Sequence, residues 1–179
     1  MTDATLQRLL DREAVHEVLY TYCRGADRCD PDIIRSAYHA DSYDDHGYWK
    51  GNGHDFADFL ADRLQRANSR TMHSVTNTIM TLEGDLALCE SHVLVTLVRR
   101  SPPDVVDLMG ARYLDRIERR DGLWKIAERT VVLEWRKTET WSDAPLRFRC
   151  LTSDKANVAS GIHFTDSCTG VIARVRVGQ

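Results

Sequence analysis

After Ser69 the hydrophobic pattern changes period once, from three or four residues to two, and it does not change back before Arg136. Ahead of that point apolar side chains recur at helical spacing: Leu6, Leu9, Leu10, Val15, Val18, Leu19, Tyr22, Cys23 and Ala26, then Phe56, Phe59, Leu60, Leu64 and Ala67. This predicts one amphipathic helix over residues 4–26 and another over "HDFADFLADRLQRA". Between them, Asp30-Pro31 sets a capping acid before a proline at the first helical position, which predicts a short helix over "DIIRSAY". The stretch "HADSYDDHGYWKGNG", rich in Asp, Gly and aromatic residues, reads as a loop.

Beyond Ser69 the pattern is that of strands: "TMHSVTNTIMTL", a turn at Glu83-Gly84-Asp85, "LALCESHVLVTLVRR", a break at Pro102-Pro103, and "VVDLMGARYLDRIERR". Asp121-Gly122 is a hairpin signal and "LWKIAERTVVLEW" the returning strand. Three helices followed by a meander of long strands predict an α+β fold with the helices packed on one face of a mostly antiparallel sheet. A chain of 179 residues suits one domain, with a core over about 5–136 and a C-terminal extension, 137–179, holding at most one short strand at "GVIARVRV".

Composition narrows the function. A net charge of −3 with both signs interspersed offers no basic stripe, which argues against nucleic acid as a partner. No run reaches the roughly 18–20 apolar residues of a membrane span, and the polar start "MTDATLQRLLDRE" has no signal-peptide character, so a soluble, cytoplasmic protein is expected. Five scattered cysteines with no CxxC pair suggest neither a disulfide framework nor a zinc site. Asp44, Asp45 and His46 are neighbours on one segment and do not converge as metal ligands do, so no metal is expected. Neither a GxSxG elbow nor a glycine-rich phosphate loop is present.

Three polar residues sit where the pattern calls for apolar ones. Asp27 follows Cys23 by four and Tyr20 by seven, so it turns toward the face that carries them; a solvent-facing acid at the helix end is the competing reading. His73 shares a strand face with Val75 and Asn77 by two-residue alternation, and Arg129 shares one with Leu123, Ala127, Val131 and Leu133. A buried arginine needs a partner, and Asp27 is the candidate, directly or through His73. One shared pocket explains all three. There Asp27 orients His73, His73 takes a proton from a bound molecule, and Arg129 stabilises the developing anion or leaving group. His46 and Tyr48 are candidates for the pocket rim, and Trp49 and Trp135 for its apolar walls.

The order "LYTYCRGAD", "AYHADSYDDHGYWKG", "MHSVTN" and "YLDRIERRDGLWKIAERTVVLEW" resembles the SnoaL-like family of the nuclear transport factor two-like superfamily, over about residues 5–136. The resemblance implies a cone-shaped α+β barrel, and it implies homodimers or homotrimers. In the dehydratase and dehydrochlorinase branch it implies an Asp–His dyad at Asp27 and His73, a pocket arginine at Arg129, and no cofactor. Tyr22 falls where that branch has a functional tyrosine or lysine. The expected substrate contacts are therefore Tyr22, Tyr20, His46, Tyr48, Asn77 and Tyr113. Where some dehydratases carry a second histidine or an acid, "GARYLDR" offers Arg112, Tyr113 or Asp115. The expected function is a lyase, removing water or halide from a small, largely apolar cyclic molecule. The alternatives are an isomerase or cyclase using the same pocket, or a non-catalytic module such as the small subunit of a dioxygenase.

Overall fold

The computed structural model describes residues 2–141. Its elements are α1 (Asp3–Arg28), α2 (Pro31–Ser36), β1 (Tyr38–Asp45), β2 (Lys50–Asn52), α3 (Gly53–Ala67), β3 (Asn68–Glu83), β4 (Leu86–Arg99), β5 (Val105–Arg120) and β6 (Leu123–Thr140). The helix-to-strand change read at Ser69 falls at the α3–β3 junction. The expected strand at "GVIARVRV" and the residues His163, Cys150 and Cys168 lie outside the described residues.

The first helix ends as its last turn dictates. Cys29 takes a left-handed conformation (φ 51°), its N–H reaching the Ala26 and Gly25 carbonyls. Asp30 then caps α2, accepting from the N–H groups of Asp32 and Ile33 at 3.0 and 3.1 Å, with Pro31 at the first helical position as the sequence predicts. At Gly25 a Cβ would lie 2.6 Å from the Ile34 nitrogen, so only glycine lets α2 fold back against α1.

Six strands form one sheet in the order β2-β1-β6-β5-β4-β3, antiparallel throughout except for the parallel β1–β6 pair. The N-terminal helices pack on one face of this curved, open sheet, the α+β architecture expected. The Asp121-Gly122 hairpin has φ of 52° and 77° at the two residues, the left-handed pair a tight primed turn requires. Between the layers lies an apolar core of Val15, Leu19, Phe56, Ile117 and Ile126 with their neighbours. None of the described helices is long and apolar enough to cross a membrane.

The loop expected over "HADSYDDHGYWKGNG" is a correction: most of it is β1 and β2. Its core-facing residues include Tyr38, Ser42 and Asp44, all buried, so the inward positions are polar and alternation in hydrophobicity does not reveal the strand.

One ion cluster ties the far ends of β4, β5 and β6 together. Buried Asp107 accepts from Arg99 Nε and Nη2 at 2.8 and 3.0 Å, from Arg136 Nη2 at 2.9 Å and from Thr138 Oγ1 at 2.5 Å. The hydrogen bonds from Arg99, with Thr138 and Arg136 adding to them, hold its carboxyl well below the usual carboxylate range. A depressed folded pKa stabilises the protein above the unfolded value of about 4 and is lost as pH falls toward the folded one. Asp107→Asn is therefore expected to lower the melting temperature at neutral pH, with the gap to the wild type closing below about pH 4. A constant gap across that range in thermal melts would contradict this account.

Candidate active site

Asp27 sits one residue before the end of α1 and turns its carboxylate onto β3. Oδ1 lies 2.6 Å from His73 Nδ1, and Oδ2 accepts the backbone N–H of the same residue at 3.0 Å. Thr71, one inward position earlier on β3, donates from Oγ1 to the Asp27 carbonyl at 3.2 Å. The helix end and the strand are thus fastened at three points, and the His73 side chain is 9% exposed. A carboxylate only accepts, so Nδ1 carries the proton and the lone pair is on Nε2.

Arg129 corrects the expected pairing. Its partner is Asp115, its register neighbour on β5: Nε reaches Oδ1 at 2.6 Å and Nη2 reaches Oδ2 at 2.9 Å, a bidentate contact with both side chains fully buried. The guanidinium lies between two aromatic faces, 4.2 Å from the Tyr22 ring centroid and 4.1 Å from that of Tyr113. Nη1 has no hydrogen-bond partner although it is buried. Burial pushes the Cys23 thiol up to about 12, and both Arg129 and Asp27 are close enough to act on it, in opposite senses.

A second acid–histidine pair lies on the other side of Arg129. Asp44, in register with Arg129 across the parallel β1–β6 ladder, accepts at Oδ1 from His46 Nδ1 and at Oδ2 from the Tyr38 hydroxyl at 2.5 Å. His46 Nε2 is 3.2 Å from the Tyr22 hydroxyl, and its ring stacks on Phe56 at 4.1 Å. Burial, with the neighbouring Tyr113 and Tyr38 adding to it, pushes the Tyr22 phenol well above its ordinary value. Among the described residues no group of three or more His, Cys, Asp or Glu side chains is placed to hold a metal ion.

A family model for the SnoaL-like domain matches residues 7–130. The chain belongs to the SnoaL-like family. Solved structures similar to this SnoaL-like chain include a hexachlorocyclohexane dehydrochlorinase, at 23% identity and a TM-score of 0.70 over 76% of this chain and 93% of that one. A scytalone dehydratase-like protein from Novosphingobium aromaticivorans has 17% identity and a TM-score of 0.68 over 74% and 90% of the two chains. A cystatin-like-fold protein of unknown function from Nostoc punctiforme has 18% identity and a TM-score of 0.57 over 70% and 92%. At these identities the likeness is one of fold. No curated protein matches the sequence.

The other residues expected at the SnoaL-like site divide. Tyr22 and Tyr113 are buried against Arg129. His46, expected at a rim, is buried instead, its side chain 8% exposed. Tyr48 is exposed, with Arg63 over its ring at 4.7 Å. Tyr20 is on the outer side of α1, 48% exposed and stacked on His16. Asn77 is also outside: β3 bulges between Val75 and Thr78, where two residues oppose His92 alone, so Thr78 takes the inward position and Asn77 bonds His92 Nδ1 at 2.8 Å. Arg129 faces inward, but a bulge in β6 at Ala127 changes its companions: Trp124, Ile126 and Val131 share its face, while Leu123 and Leu133 are exposed. Arg112 faces outward to Glu134 at 2.5 Å, leaving Tyr113 and Asp115 as the inward members of "GARYLDR". Trp49 packs on Phe56, but Trp135 is half exposed and covers Gly110, so it is not a wall. Asp44 and Tyr38 were not singled out as site residues; reading β1 as a strand would have exposed them.

Proposed function

We propose that this SnoaL-like protein is a cofactor-independent lyase that eliminates water or halide from a small, largely apolar cyclic molecule by acid–base chemistry. The observation that carries the reading is the double hold of Asp27 on His73, at the ring nitrogen and at the backbone N–H. Such a hold selects the tautomer with a basic Nε2 and stabilises the imidazolium formed when it takes a proton. His73 Nε2 removes a C–H proton, the carbon–carbon double bond forms, and the leaving group departs from the adjacent carbon. Arg129 Nη1, charged and without a protein partner, is the donor for the negative charge that develops. The fold likeness to a dehydrochlorinase and a scytalone dehydratase-like protein supports the same chemistry. Incubation with β-hydroxycyclohexanone and β-chlorocyclohexanone tests it: cyclohexenone absorbance should rise above the buffer rate for at least one compound with the wild type and not with His73→Ala. No rise over buffer for either compound rejects the lyase reading.

A further inference from the structure

The proposed elimination employs Asp27, His73 and Arg129 and leaves the second acid–histidine pair without a task. Charge balance says more about that pair. Asp44 and Asp115 are both buried, and they flank Arg129 from the two neighbouring strands. One guanidinium compensates one carboxylate, and Tyr38 offers Asp44 a hydrogen bond but no charge. The remaining group in contact with Asp44 that is able to carry a positive charge is His46. The 3.2 Å contact between His46 Nε2 and the Tyr22 oxygen is the path by which a proton on Nε2 can pass to Tyr22 as the hydroxyl gives up its own.

We propose that Asp44, His46 and Tyr22 form a proton-donating chain for the leaving group, so that the molecule taken by this site loses water rather than halide. The inference rests on the elimination reading. Halide departs as a stable anion and needs no proton, whereas hydroxide is a poor leaving group until it is protonated. In the step, His73 Nε2 takes the C–H proton, the C=C bond forms and the C–O bond breaks. The departing oxygen takes the Tyr22 proton and Tyr22 takes the Nε2 proton of His46, leaving His46 neutral, His73 protonated and one water released. Solvent returns the protons between turnovers.

The placement suits this. Tyr22 precedes Asp27 by five residues on the same helix, about 7.5 Å along its axis. The Tyr22 ring lies against the guanidinium whose Nη1 is unpartnered, so proton donor and charge-stabilising donor are adjacent. Burial holds the proton on Tyr22 until the departing hydroxide calls for it. Tyr22 is here a catalytic residue; His46 and Asp44 act through it and are positioning residues. A purely architectural network, fastening β1 to α1, would have the same contacts but would not distinguish between leaving groups.

The test compares kcat/KM for β-hydroxycyclohexanone and β-chlorocyclohexanone in the wild type, Tyr22→Phe and His46→Gln, each checked for cooperative melting. Tyr22→Phe keeps the ring against Arg129 and removes only the hydroxyl, so it carries the test if His46→Gln does not fold. The alcohol-to-chloride ratio is expected to fall about 100-fold in Tyr22→Phe, the contribution of a positioned general acid. Equal losses on the two compounds, or turnover of the chloride alone by the wild type, overturn this proposal and leave the lyase reading standing. Turnover of neither removes both.

Discussion

His73→Ala is expected to lower kcat/KM for elimination by about 100- to 10,000-fold, the usual contribution of a positioned general base, while melting close to the wild type. The small stability effect follows from the contacts. Asp27 keeps the backbone N–H of residue 73 when the imidazole is removed, so one hydrogen bond of two is lost, at about 1 kcal/mol. Asp27→Asn discriminates further. Its amide oxygen still accepts from one donor but supplies no charge to an imidazolium, so kcat should fall with little change in KM. Thr71→Val, which removes the Oγ1 bond to the Asp27 carbonyl, should leave the dyad held by its other two contacts. Wild-type turnover by purified His73→Ala would sink the assignment of the base.

How far the site was legible follows from where local pattern and tertiary structure agree. Asp27 and His73 belong to elements whose periodicity is intact up to them: the helical spacing of α1 runs through Cys23 and Ala26, and the alternation of β3 is unbroken from Thr71 to Val75. Asn77 lies just past the β3 bulge, and one extra residue sends every later side chain to the opposite face. Nothing in "SVTNTIM" announces that bulge. Arg129 faces inward as expected, but for the same reason Leu123 does not share its face, with Ala127 as the extra residue in β6. The Asp44–His46 pair was hidden differently, because β1 presents Ser42 and Asp44 to the interior and its composition is that of a turn. Arg129 itself was recognisable as a buried charge in need of a partner. Its partner was Asp115 on the adjacent strand, since β-register brings two residues of "YLDRIERRDGLWKIAER" into direct contact with no help from a distant helix.

Arg129→Met is expected to destabilise the fold by about 3–5 kcal/mol, because it leaves the Asp115 carboxylate buried without its counter-charge. The loss goes beyond the ion pair, since the guanidinium also fills the space between the Tyr22 and Tyr113 rings. Arg129→Lys should recover only part of it: an ammonium keeps the charge but not the planar fork that meets both carboxylate oxygens, nor the flat surface lying on two rings. The double variant Arg129→Met/Asp115→Leu separates architecture from chemistry. Removing both charges together lifts the desolvation penalty and should restore most of the melting temperature. Charge balance then exposes the other side of the site, because Asp44 and His46 no longer share their neighbourhood with a guanidinium, and elimination should remain at least about 100-fold below the wild type, as for loss of one buried donor to a developing anion. A single Arg129→Met variant as stable as the wild type in denaturant melts would mean that the Arg129–Asp115 pair is dispensable to the fold. A stable, fully active double variant would mean that Arg129 belongs to the architecture alone.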